Sequence, residues 1–170
     1  MVPFNMEGQI LIPLNKMRES NPKLYEAHAS KYEGRQELMD EIVPKLNCKW
    51  NDVLHFSPIN PDIVFQCLLK TGHSPNTEAK FFKVPLTKFK EDQTVIFKYT
   101  RDDAEMTEEE IEFLDISKFW PLEELNIATL EWYKRCNEKG QRPLLFHRVP
   151  HILTLGNIDI SDCEIVGWKA

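Results

Sequence analysis

The stretch from Asp52 to Gly72 constrains the fold more than any other part of the chain. Asp52 to Phe56 is β-branched and aromatic, the signature of a strand. Four residues later Asn60 and Pro61 form a helix start: a capping side chain followed by a proline at the first helical position. Asp62 meets the positive end of the helix dipole, and Ile59 and Val64 are spaced as a hydrophobic staple. Gly72 suits the left-handed stop. A strand delivered straight into a capped helix implies a sheet with helices packed on it.

The remaining punctuation extends that plan. Gln9 to Leu14 reads as a short strand ended by Pro13. Asn21 and Pro22 open a helix whose Leu24, Tyr25, His28, Ala29 and Tyr32 share a face, and Gly34 closes it. A second helix is expected from about Arg35 to Pro44, with Leu38, Met39 and Ile42 inward. Strands are expected at 80–84, 94–99 and 112–116, and a long helix from Pro121 to Gly140. In the last third, 144–149 and 151–155 read as strands, Gly156-Asn157 as a two-residue hairpin turn, and 158–160 and 164–168 as further strands. There is no regular βαβ rhythm, no repeat and no domain boundary. The expected fold class is α+β: a single domain over 1–170 with a mixed, mostly antiparallel sheet flanked by helices.

Composition supports a packed core. Of 170 residues, 42% are hydrophobic and 11% aromatic, enough large side chains to fold without metals or disulfides. Cys48, Cys67, Cys136 and Cys163 form no Cys-x-x-Cys pair and read as reduced core thiols. No apolar run reaches bilayer-spanning length, and Met1 to Gly8 lacks a basic start before an apolar stretch. The expected location is the cytoplasm, with no membrane partner. The net charge is −6, and the segment from Arg101 to Glu124 carries ten carboxylates against two cations. The rest of the chain is therefore slightly positive, and a run of lysines from Lys80 to Lys98 is offset by Glu91 and Asp92. That balance argues against nucleic acid as a partner.

Two segments concentrate polar groups where a core should lie. In the first, His55 and Ser57 end a strand directly before the helix N-terminus at Asn60, placing an imidazole, a hydroxyl and free N–H groups together. Such a corner suits a phosphate or carboxylate, with His55 as donor or base. The plainer alternative is that Ser57 and Asn60 only cap. In the second, Gln141 to His151 carries His147, Arg148 and His151; alternation turns His147 inward and Arg148 the other way. A metal site built from His55, His147 and His151 lacks any short ligand motif. No Gly-x-x-x-x-Gly-Lys, Gly-x-Gly-x-x-Gly or Gly-x-Ser-x-Gly sequence is present. Glu108, Glu109 and Glu110 read as a solvated loop or, with Trp120, as an acidic docking surface for a basic partner.

The order of these pieces resembles the DNA-targeting ADP-ribosyltransferases of bacterial toxin–antitoxin systems, the DarT type. Ile10 to Asn15 matches the family's first strand, Arg35 its arginine, Leu54-His55-Phe56-Ser57-Pro58 its NAD-holding strand, and Leu144 to Ile152 the strand that carries its catalytic glutamate. The chain also resembles small proteins of Gram-positive bacteria. The family resemblance implies an ADP-ribosyltransferase-like fold and NAD as the cofactor to test. On a nucleotide-handling reading, Arg35, Ser57, Asn60 and Arg148 are the candidate ligand-binding residues, and His55, His147 and His151 the candidate catalytic ones. Two positions depart from the pattern: the first strand has no histidine, and no glutamate lies between Lys139 and Asp162. The implied activity is then NAD-like nucleotide binding without the usual carboxylate chemistry. The other reading is a non-catalytic, protein-binding inhibitor or immunity-type factor that uses Glu108, Glu109, Glu110 and Trp120.

Overall fold

The computed structural model describes residues 1–2, 6, 8–34, 36–101 and 106–168. A two-residue strand, β1 (Ile10–Leu11), precedes the helices α1 (Leu14–Ser20) and α2 (Pro22–Ala29). A small hairpin of β2 (Ile42–Val43) and β3 (Cys48–Lys49) leads to β4 (Val53–Phe56) and α3 (Pro61–Lys70). Then come β5 (Lys80–Lys83), β6 (Thr94–Phe97), β7 (Ile111–Phe113) and α4 (Ile127–Glu138). The last elements are β8 (His151–Leu155), β9 (Ile158–Asp159) and β10 (Glu164–Gly167).

The framework is a four-stranded antiparallel sheet in the order β4-β8-β6-β7. Its register pairs His55 with Leu153, Thr94 with Thr154, and Phe97 with His151. Three two-stranded antiparallel ribbons surround it, joining β1 to β9, β2 to β3 and β5 to β10. The protein is thus a small α+β fold built on antiparallel sheets. Among the described residues, no helix is long and apolar enough to cross a membrane.

Strand alternation gives the sheet two buried faces. On one, Val53, Val95, Phe97, Ile111 and Leu153 pack with Val43 and Met106. On the other, Ile152 meets Phe89, Leu114, Ile158 and Ile160. A third cluster, including Val64, Leu68, Leu125, Tyr133 and Val149, glues α3 to α4. Each fully buried aliphatic or aromatic side chain contributes about 1.5–3 kcal/mol. The four cysteines are all free thiols, and Cys136 is buried.

Several sequence expectations change, each because a backbone group finds a different partner. The expected second helix reduces to a single 3₁₀ turn at Gln36–Met39. Trp50 N donates to Glu41 O at 2.8 Å, which commits the following residues to the β2–β3 hairpin. The helix expected from Pro121 begins instead at Ile127. Leu122 N is taken by Pro58 O at 2.6 Å, and Asn126 supplies the cap by accepting from Thr129 N at 2.8 Å. Residues 144–149 are not a strand. Tyr133 Oη donates to Leu145 O, Thr129 Oγ1 donates to His147 O at 2.9 Å, and Asn126 Nδ2 donates to Arg148 O at 2.6 Å. Side chains at the start and along the face of α4 therefore do the work of a neighbouring strand. Gly156, with φ 84°, turns the chain as expected, but the two strands it joins do not pair. β8 lies between β4 and β6, and β9 crosses to β1. The first strand ends sooner than expected because Met17 N donates to Pro13 O and starts α1.

The acidic segment also departs from a fully exposed loop. Residues 102–105 lie outside the described residues. Glu108 and Glu109 are exposed on a short 3₁₀ turn, but Glu110 is buried. Its carboxylate accepts from Thr100 N at 3.2 Å and from the Thr100 hydroxyl, and Arg101 Nε stands 3.7 Å away. Glu110 is a loop anchor and is not part of an exposed acidic surface.

Candidate binding cleft

The register that builds the sheet also gathers the three histidines singled out by sequence. His55 on β4 and His151 on β8 project from the same face as Val53 and Leu153. Trp50 stands between them, its ring centroid 4.3 Å from that of His55 and 6.1 Å from that of His151. His151 is in turn 5.7 Å from Tyr99. Tyr99 meets His147 with Oη 3.3 Å from Nδ1, and the buried His147 ring stacks on Trp132 at 4.2 Å. The histidines therefore form one line of contacting rings. His147 is inward as alternation implies, but a turn held by α4 puts it there rather than a strand.

Backbone carbonyls fix two of these imidazoles. His55 Nε2–H donates to Trp50 O at 2.8 Å, and His151 Nδ1–H donates to Val149 O at 2.7 Å. A carbonyl can only accept, so each ring carries its proton on the nitrogen named, and the other nitrogen is the acceptor. Desolvation by the groups packed around the ring pushes the His55 pKa well below its ordinary value; the His151 and Lys31 charges push the same way, and the Trp50 carbonyl opposes them. Part of the His55 ring edge still meets solvent. Burial lowers the His151 pKa as well, against the opposing effect of its carbonyl partner. Both rings are neutral at pH 7.

Backbone strain collects at the same place. Tyr99 (φ 52°) and Arg148 (φ 59°) hold left-handed conformations that bulky side chains rarely adopt. Each such residue costs on the order of 1–3 kcal/mol, and strain of this kind concentrates at ligand clamps and active sites.

His55 also forms part of the wall of a cleft of about 210 Å³ that lies along the outer edge of β4. α1, the end of α2 and the Ser30–Tyr32 turn close its other side. Leu11, Ile12, Met17, Val53 and Phe82 make the wall apolar. Among the described lining residues the basic side chains are His28, Lys31 and His55, and none is a carboxylate. Burial and the Lys31 charge lower the His28 pKa. Lys31 Nζ lies 5.0 Å above the Tyr32 ring. Asn51 also lines the cleft. It is 1% exposed, and its Nδ2 has no hydrogen-bond partner among the described residues.

The remaining sequence candidates fall elsewhere. Arg35 lies outside the described residues. Ser57 is half-buried in the turn after β4, and Asn60 accepts from Asp62 N at 3.0 Å as the cap of α3. Neither is among the described residues that line the cleft beside His55. Arg148 is half-buried beside the ring line, and Trp120 is exposed on the surface. Among the described residues, no group of three or more His, Cys, Asp or Glu side chains is arranged to hold a metal ion. A wide, open depression is lined by Glu91, Asp92, Phe113, Leu114 and Asp115, but two of its carboxylates are used locally. Glu91 accepts from Ile116 N at 2.7 Å and Asp115 from Ser117 N at 3.1 Å. Sequence reasoning placed His28 on the inward face of α2 but gave it no role, and it missed Lys31. The helical spacing of His28, Lys31 and Tyr32 is the signal that points to that wall. Compared with protein-family models, with curated proteins and with solved structures, the chain finds no significant match.

Proposed function

We propose that the protein binds a small organic anion in the cleft beside His55. NAD-like nucleotides, which the resemblance to ADP-ribosyltransferases implies, are the first class to test. The observation that supports this reading is the character of the cleft wall: among its described lining residues, His28, Lys31 and His55 stand beside apolar side chains. Basic and apolar groups side by side on one wall suit a ligand that carries both an anionic and an apolar part. His55 adds a chemical capability. With its Nε2–H tied to Trp50 O, it keeps Nδ1 as a hydrogen-bond acceptor, while its lowered pKa makes it a weak base.

A thermal-shift screen with NAD, ADP-ribose, AMP and simple carboxylates tests the reading. A ligand at about one hundred times its dissociation constant adds about 2.7 kcal/mol, a readily visible shift. His55→Ala should reduce that shift. Arg35→Ala in the same screen tests the pyrophosphate role that the resemblance assigns to Arg35. Absence of stabilisation by every anion would sink the proposal.

A second reading, capture of a basic protein partner, is favoured by one surface observation. Trp120 and Ile127 are the most exposed large apolar side chains among the described residues, at 82% and 74%, and Glu123 and Glu124 lie between them in the chain. Exposed apolar groups flanked by acidic ones suit a basic, amphipathic surface. Trp120→Ala combined with Glu108→Lys and Glu109→Lys should abolish partner capture; unchanged capture would count against this reading.

A further inference from the structure

We propose that the outer edge of β4 receives an extended peptide segment, which adds to the sheet as a further strand along the cleft beside His55. Backbone groups of β4 carry this inference and the charges of the cleft play no part in it, so it goes beyond the anion reading above and stands apart from it.

The register of the sheet fixes which backbone groups of β4 face outward. Leu114 N donates to Thr94 O at 2.9 Å and Lys98 N to Glu110 O at 2.9 Å, so Thr94, Ile96 and Lys98 turn their backbone groups towards β7. Val95 and Phe97 therefore bond Leu153 and His151, which leaves Ile152 and Thr154 to bond Phe56 and Leu54. The alternate residues, Val53 and His55, turn their backbone groups away from β8. Among the described residues no strand pairs with β4 on that side. Val53 N–H directly follows the 3₁₀ turn at Trp50–Asp52. Val53 C=O and the N–H and C=O of His55 remain, directed at the cleft that β4 helps to line, and no hydrogen bond joins them to another described residue. Donors and acceptors repeating at strand spacing are matched by the backbone of another extended chain.

The side chains around that edge set the pattern of the peptide. Leu54 and Phe56 pack with Leu11 and Phe82 in one hydrophobic cluster, and all of them line the cleft. Every second side chain of the added strand meets that surface, where an apolar group fits. The intervening side chains fall on the side of Val53 and His55, where the imidazole edge meets solvent and a hydroxyl suits. Asn51, just before β4, supplies a separate observation. It lines the same cleft at 1% exposure, with Nδ2 unpartnered among the described residues. A peptide carbonyl just past the paired segment is the acceptor that this donor lacks. β4 is four residues long, so its partner is a segment of about four residues in which apolar and polar side chains alternate.

The test titrates the full chain with an uncharged pentapeptide, acetyl-Thr-Val-Thr-Val-Thr-amide, and follows calorimetry and the exchange of backbone amide hydrogens by NMR. The peptide should bind saturably and slow exchange at the His55 N–H, which should be fast in the free protein beside those of Leu54 and Phe56. Two further peptides carry N-methyl groups, one on both valines and the other on the three threonines. A strand offers only one of its edges to β4, so one set should weaken binding at least about tenfold while the other leaves it nearly unchanged. Equal effects of the two sets would overturn the proposal, because simple apolar adhesion has no preferred edge. A His55 amide already protected in the free protein, by its own chain or by a second copy, would overturn it as well. So would failure of the parent peptide to bind. Because the peptide is uncharged, each of these results leaves the anion reading to its own thermal-shift screen.

Discussion

Tyr99 and His147 meet hydroxyl to imidazole, with Oη 3.3 Å from Nδ1, and both ends of this contact adjoin strained backbone. Tyr99 itself has φ 52°, and Arg148, the residue after His147, has φ 59°. Tyr99→Phe keeps the stacking on Phe97, whose ring is 5.3 Å away, and removes only the hydroxyl. We expect a loss of about 0.5–1.5 kcal/mol in urea unfolding, the net worth of one hydrogen bond. A loss near zero would mean that the hydroxyl plays no part in holding the ring line.

Thr129 is fully buried on α4 and donates to His147 O at 2.9 Å. Thr129→Val keeps the shape and strands that carbonyl without its donor. The expected cost is about 1–3 kcal/mol at an unchanged dependence on denaturant. Thr129→Ser should restore most of it, because the hydroxyl returns. If valine and serine behave alike, the hydrogen bond is not what holds the 144–149 segment.

Gly72 ends α3 with φ 87°, and a Cβ there would lie 2.7 Å from Asn137 Nδ2. Gly72→Ala therefore combines backbone strain with a clash against α4. A destabilisation of about 1–3 kcal/mol is expected. The second change Asn137→Ala should relieve the clash and leave the strain, so the double variant should fall between the single variant and the parent. Full recovery would show that strain contributes nothing.

Burial lowers the pKa values of His151 and His55 below the ordinary 6.5, and this ties stability to pH. Above about pH 6.5 both rings are neutral whether the chain is folded or not, so their contribution is complete. As pH falls below that value the unfolded chain takes up protons that the folded protein refuses, and stability declines until the folded pKa values are passed. His151→Gln should flatten the decline in the urea midpoint between about pH 6.5 and 5. An identical slope in parent and variant would contradict the lowered pKa.

Local signals carried in a few neighbouring residues were readable in the sequence, and long-range competition for backbone groups was not. Asn21 and Asn60 cap α2 and α3 where their prolines place them, and Gly34, Gly72 and Gly140 take positive φ at the predicted stops. Leu144 to Val149 alternates like a strand, but Asn126, Thr129 and Tyr133 claim its carbonyls from elsewhere in the chain. Pro121 looks like a helix start, but Pro58 claims the N–H of Leu122. The same split runs through the candidate site. His55, His147 and His151 stand out in the sequence because they lie in polar-rich segments beside predicted strands. Their contact through Trp50 and Tyr99, and the cleft that His55 shares with His28 and Lys31, depends on strand pairing across about one hundred residues, which no local pattern encodes.

The placement of β8 between β4 and β6 has a consequence for how the protein is made. β4 is complete at Phe56, but the strand that covers its inner edge begins only at His151. At translation speeds of about 5–20 residues per second, the emerging β4 waits roughly five to twenty seconds for that partner. β6 and β7 can form their hairpin-like pair meanwhile, yet β6 too presents an open inner edge until β8 arrives. The protein thus passes through synthesis with two sheet edges bare and the His55–His151 contact unmade. Chaperones and aggregation compete for those edges until the ribosome supplies the strand that closes them.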